Sequence, residues 1–183
     1  MFHFNNVYYF IDKFDRDEIL NLNSKIVIIY RNYKSSNQET DIIKLKNLSK
    51  IKKRKIFIAN NIKLAIKHNL DGVYIPAFNN NLNLKNICLR KNFCFIGSAH
   101  NLKELRVKIK QNCESIFVSP LFFNIKNKSF LELIKFNLLS LNTKKKIVAL
   151  GGINQKNFKR LYCTKVDGFA SISWIKKNRL TFK

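Results

Sequence analysis

Short apolar runs rich in β-branched and aromatic residues recur along this chain, and nearly all are followed by a segment whose apolar residues return every three or four positions. The runs are Val7–Ile11, Lys25–Tyr30, Lys55–Ile58, Gly72–Ile75, Phe93–Gly97, Ser115–Val118, Lys146–Leu150 and Gly168–Ile172. Helical periodicity falls between them at Asp41–Ser49, Ile62–Asn69, Leu82–Arg90, Leu102–Gln111, Phe130–Leu141 and Gln155–Tyr162, as in Ile62, Ala65 and Ile66. Strands joined through helices run parallel, and eight such units predict an α/β fold, a (β/α)8 TIM barrel. The 183 residues are expected to form one domain, 1–183, compact against the usual ~250 residues. The pattern places a short helix after the first strand and a truncated last helix. A doubly wound open sheet is the alternative.

An apolar content of 46% is enough for one sizeable core and argues against disorder. No apolar run approaches the roughly 18 to 20 residues that cross a bilayer, and the first residues lack a charged region leading into an apolar one, so a cytoplasmic protein without membrane contact is expected. Cys88, Cys94, Cys113 and Cys163 show no C-x-x-C spacing, which favours small buried residues over zinc or redox chemistry. The formal net charge of +24 would suit a nucleic-acid binder or attract anionic substrates. Yet 28 of the 35 basic residues are lysines scattered among Asn and Ile, so a role on nucleic acid is not expected. The densest basic runs, Lys50–Lys55 and Lys144–Lys146, precede strands and read as a solvated rim.

Three of the five glycines, Gly151, Gly152 and Gly168, sit in the last two βα units, where Ile147–Ile153 and Asp167–Ser173 read as strand, turn, short helix, strand, turn. Glycine lets backbone N–H groups approach an anion, and in a barrel the loops after the strands carry the chemistry. Those loops begin at Asp12, Arg31, Ala59, Pro76, Ser98, Ser119, Gly151 and Ser171. Asp71 and Asp167, each one residue ahead of a strand-opening glycine, fall on the opposite face and read as turn residues.

The ordered segments Ile58-Ala59-Asn60-Asn61, Asp71–Ile75, Ile96-Gly97-Ser98-Ala99-His100, Ser119-Pro120-Leu121-Phe122, Val148–Ile153 and Gly168–Ser173 resemble the thiamine-phosphate synthase and thiazole tautomerase superfamily. The resemblance covers strands three to eight well and the first two loosely. It implies the displacement of pyrophosphate from hydroxymethylpyrimidine diphosphate by the nitrogen of a thiazole phosphate, with Mg2+ neutralising the leaving group. It also implies that Gly151, Gly152, Ile172 and Ser173 hold the thiazole phosphate, that Arg31 contacts pyrophosphate, and that Ser98 and His100 match residues after strand five. A histidine at a helix start also serves as a cap or packing residue. A homodimer is a further possibility that the resemblance raises.

Departures from the family pattern concentrate elsewhere. Where the family places its two magnesium aspartates, this chain has Asn60 and Asn79, so the ligands of the implied metal are not retained. Magnesium favours charged oxygen ligands. The Gln and Lys of the strand-two segment are Ile29 and Tyr33, with Lys34 next. The residues after strand six are Asn124, Lys126 and Asn127, with Lys128 displaced by one and available to neutralise the leaving group. Four readings stay open: a synthase in which lysine charge replaces the metal, a tautomerase-like enzyme, a binder of a phosphorylated small molecule without turnover, and a nucleic-acid-associated protein on the same scaffold. The tautomerase reading is weakened because Val118–Leu121 contains no histidine.

Overall fold

The structure, a computed structural model, describes residues 4, 6–34, 36–87, 90–123 and 129–178. Eight parallel strands close on themselves in chain order, β1 to β8, with β8 pairing β1 through Asn6↔Gly168, Val7↔Phe169 and Tyr8↔Ala170. They are β1 (Asn6–Ile11), β2 (Ile26–Tyr30), β3 (Ile56–Ala59), β4 (Gly72–Ile75), β5 (Cys94–Ala99), β6 (Ser115–Val118), β7 (Lys146–Leu150) and β8 (Gly168–Ala170). The expected barrel is therefore the observed one, and the open sheet is excluded by closure. The intervening helices are α1 (Arg16–Leu20), α2 (Gln38–Lys52), α3 (Ile62–Lys67), α4 (Leu102–Lys110) and α5 (Glu132–Ser140), and α6 (Ser173–Asn178) follows β8.

Strand alternation divides the apolar residues into two cores. Tyr8, Phe10, Val27, Ile29, Phe57, Ala59, Tyr74, Ile96, Phe117, Val148 and Ala170 face inward and fill the barrel. Their neighbours, such as Tyr9, Ile28, Ile58, Val73, Ile116, Ile147 and Phe169, face outward and bury the apolar faces of the helices. The barrel interior is unusually aromatic. Tyr8, Phe10 and Tyr74 all meet Phe117 edge to face, with ring centroids 4.8 to 6.0 Å apart.

Two segments with helical periodicity are not α-helices. Within Leu82–Arg90 the described residues form a 3-10 turn over Leu82–Asn86, entered through Asn81, whose side chain accepts the N–H of Asn83. Gln155–Tyr162 is a 3-10 turn over Phe158–Cys163. Here the Asn154 side chain takes the N–H groups of Lys156 and Asn157, so the backbone is committed to a turn before a helix can start. The last strand stops at Ala170, and the next residue, Ser171, donates its hydroxyl to the Ile153 carbonyl at 2.9 Å.

Both aspartates on the opposite face do the same thing. Asp71 accepts the N–H of Ile56 at 2.8 Å and Asp167 that of Ile147 at 2.9 Å, so each carboxylate anchors the start of the preceding strand. One member of the basic rim departs from its expected place. Arg54 is buried and caps the end of α1, donating to the carbonyls of Ile19, Leu22 and Asn23. Among the described cysteines, all free, Cys113 is buried as expected but Cys163 is exposed. No helix among the described residues is long and apolar enough to cross a membrane.

Candidate active site at the barrel mouth

At the β7–β8 corner the chain needs glycine for two reasons. Gly151 and Gly152 adopt φ of +95° and +69°, and a Cβ on Gly152 would lie 2.4 Å from the Phe122 carbonyl oxygen. The turn is pressed against the loop after β6, which pairs with it through Leu121 N–H to Leu150 O and Phe122 N–H to Gly151 O. The Asn154 and Asn157 side chains donate to the Gly152 carbonyl, at 3.2 and 2.8 Å. Within the described residues the N–H groups of Gly151, Gly152, Ile172 and Ser173 meet no acceptor. The Ser171–Ile153 hydrogen bond ties the two loops carrying them together. Ile172 and Ser173 are exposed.

Arg31 follows β2 at an inward-facing position, and its guanidinium lies 4.6 Å from the centre of the Phe10 ring. It shares this place with Ser98, the last inward residue of β5, and with Tyr74 of β4. Burial, the largest influence, pushes the Tyr74 phenol up to about 12, while its hydrogen bond with Ser98 and the Arg31 charge pull it down. The phenol is therefore neutral at physiological pH. Tyr74 was not among the expected site residues, although its even spacing with inward positions was the available signal.

His100 sits just outside the N-terminus of α4, where Asn101 accepts the Glu104 N–H and Glu104 reaches back to the His100 N–H at 2.7 Å. Its Nδ1 lies 2.8 Å from the Ser119 carbonyl, which can only accept, so Nδ1 carries a hydrogen and donates it there. This geometry gives His100 a positioning role between the loops after β5 and β6. Lys128 lies outside the described residues, as do Asn124, Lys126, Asn127 and Cys88.

The β3–β4 corner is built from amides. Asn60, with φ of +58°, accepts from Asn79 Nδ2 at 2.6 Å, and the Asn79 Oδ1 accepts the Asn81 N–H at 2.9 Å. The second bond decides the orientation of the Asn79 amide, because a backbone N–H requires the oxygen there. Further amides continue along the rim, from Asn61 to Gln38 and from Asn32 to the Asp12 carbonyl. Beside them Tyr33 and Phe78, both exposed, meet edge to face at 5.7 Å. A cavity of about 470 Å³ lined by Leu84, Ile87, Phe93 and Glu114 opens at the other end of the barrel, where the strands start.

A glycine-turn corner at β7–β8, an inward arginine after β2 and a Ser-x-His segment at the end of β5 coincide with a family model: that described as thiamine monophosphate synthase matches residues 17–175. The chain belongs to this family. A thiamine-phosphate synthase of Clostridium novyi (strain NT) is 32% identical over 126 residues, 67% of this chain and 62% of that protein. One from Prochlorococcus marinus subsp. pastoris is 28% identical over 169 residues, 86% of this chain and 47% of that protein. The chain thus spans about half to three fifths of the length of these curated relatives. Thiamine phosphate pyrophosphorylase from Pyrococcus furiosus has the same fold, with a TM-score of 0.77 at 20% identity, covering 96% of this chain and 92% of that one. The corresponding protein from Bacteroides thetaiotaomicron gives 0.62 at 17%, covering 94% and 85%.

The family implies a magnesium ion, and the β3–β4 corner does not fit one. Two carboxylates 2.6 Å apart repel unless a cation or proton lies between them, whereas two amides bond directly. Here the Asn60 oxygen faces an NH2 and the Asn79 oxygen a backbone N–H, so both are engaged by hydrogens. Among the described residues no three His, Cys, Asp or Glu side chains come together.

Proposed function

We propose that this chain is a thiamine-phosphate-synthase-like transferase that holds a thiazole phosphate at the β7–β8 corner and joins it to hydroxymethylpyrimidine diphosphate. The observation that carries this reading is the set of four backbone N–H groups, from Gly151, Gly152, Ile172 and Ser173, that have no acceptor among the described residues. A phosphate ester accepts several such bonds at once. In the reaction the thiazole nitrogen forms a bond to the pyrimidine methylene carbon, the carbon–oxygen bond to the diphosphate breaks, and pyrophosphate leaves with the electron pair. Arg31 stands where it neutralises that charge, and Ser98 and Tyr74 offer hydroxyls beside it. Lys128 is proposed as a second cation for the diphosphate. His100 holds the loop after β6 in place for the phosphate.

A second reading is a protein that binds the phosphorylated thiazole without turnover. The Asn60–Asn79 hydrogen bond favours it, since it stands in place of the implied metal. A product assay with both substrates, in chelator and across a magnesium titration, separates the two. Thiamine phosphate formed in chelator supports the transferase. Its absence at every metal concentration, with thiazole phosphate still binding by calorimetry, leaves the binder, and failure to bind thiazole phosphate removes both.

A further inference from the structure

Lys108 is the most unexpected side chain in the molecule. It lies on α4 among basic residues that face solvent, yet it is fully buried. Its stem runs past Gly97, where a Cβ would come within 2.8 Å of the Lys108 Cδ, so the glycine in the middle of β5 makes the channel that the lysine occupies. The ammonium donates to the Asn79 carbonyl at 2.6 Å and to Gln111 Oε1 at 2.9 Å. Gln111, also fully buried, donates to the Asn79 carbonyl at 2.9 Å and to the Asn81 carbonyl at 3.0 Å. No carboxylate is among these hydrogen-bond partners. A buried cation is costly unless oxygen atoms replace its water, and the loop after β4 supplies that oxygen.

The Asn79 that receives this charge at its carbonyl is the residue whose side chain bridges to Asn60. A positive charge therefore reaches, from beneath the loop, the corner at which the family implies a divalent ion. A metal added there would face an ammonium of like sign and two oxygens already engaged by N–H groups. We propose that Lys108 is a built-in replacement for a bound cation: through the Asn79 carbonyl and the Asn79–Asn60 amide bridge it fixes the β4 loop at the barrel mouth without a metal. Lys108 is a positioning residue in this arrangement. The inference holds whether or not the mouth joins thiamine precursors.

Hydrogen exchange and Mn2+ binding test it. In the unaltered protein the Asn79 and Asn81 N–H groups are bonded to the Pro76 carbonyl and the Asn79 side chain; they should be protected equally with and without Mn2+, and no Mn2+ should bind at the mouth. Lys108→Met keeps the apolar stem and removes the charge. It should speed exchange at these two amides at least tenfold, leave the Phe122 N–H of the β6 loop unchanged, and gain nothing from Mn2+. Adding Asn60→Asp and Asn79→Asp to Lys108→Met should create a Mn2+ site, seen by paramagnetic resonance, whose occupancy slows exchange again. A purely structural lysine would not produce that metal-dependent rescue. Should Lys108→Met fail to fold, Asn60→Gly tests the bridge, because Asn60 is exposed and glycine accepts its positive φ. Faster exchange confined to the β4 loop is then expected. Unchanged exchange in Lys108→Met or Asn60→Gly, no Mn2+ rescue in the triple variant, or Mn2+ bound at Asn60 and Asn79 in the unaltered protein would each overturn the proposal.

Discussion

At the foot of β3 the Asp71 carboxylate takes the N–H of Ile56, and at the foot of β7 the Asp167 carboxylate takes that of Ile147, with nearly equal distances of 2.8 and 2.9 Å. At the mouth the same two corners have nothing in common. The β7–β8 corner is made of backbone: two left-handed glycines, a loop pressed against them, and N–H groups directed to no described acceptor. The β3–β4 corner is made of side-chain amides that satisfy one another, braced by a buried ammonium. Polar groups left without partners at a mouth are available to a ligand, whereas groups bonded to each other must first be pulled apart. One corner thus leaves backbone donors open, and the other holds its own shape.

Gly152→Ala should break the comparison at its receptive side. A Cβ 2.4 Å from the Phe122 oxygen, on a residue with φ of +69°, combines backbone strain with overpacking and should cost on the order of 3 kcal/mol in chemical denaturation. Calorimetry with thiazole phosphate should show binding lost in the same variant. Retained affinity would mean that the phosphate sits elsewhere. Arg31→Ala sharpens the contrast. Loss of a charge-assisted contact should weaken pyrophosphate binding about ten- to hundredfold while thiazole phosphate affinity stays within about twofold. Equal losses for both ligands would show that Arg31 serves the two corners alike. The smallest effect belongs to the feet. Asp71→Asn and Asp167→Asn should each cost about 1 kcal/mol of stability, the difference between a charged and a neutral acceptor, and neither should alter ligand affinity. If one of them changed affinity, the difference between the corners would reach through the strand rather than being confined to the mouth.

Much of this organisation can be read along the chain. The inward positions of Arg31 and Ser98 follow from strand alternation, and the turn at Gly151-Gly152 follows from glycine scarcity elsewhere. The aspartates before Gly72 and Gly168 read from their repetition as turn residues opposite the mouth, while the strand starts they anchor are seen only in space. Other features resist such reading. Lys108 falls three residues after the buried Leu105, on the inward face of α4, but a lysine there reads as a solvated residue, and the mid-strand Gly97 is the other local trace. Arg54 stands within a run of lysines that do reach solvent, so its burial under α1 has no signature in the run itself. The segments after Asn81 and Asn154 keep a helical spacing of apolar residues while asparagine side chains compete for the backbone.

By itself the order of residues determined the barrel, because eight alternations of strand and helix periodicity admit few closed arrangements, and it determined which loops reach the mouth. It also determined that two carboxylates are missing. Only the tertiary structure decided what replaced them. Asn60 and Asn79 are 19 positions apart, and Lys108 a further 29 from Asn79, so their bonds exist only once β3, β4 and α4 are packed together. Hydrogen bonds depend on distance and direction in space, and a linear pattern records neither.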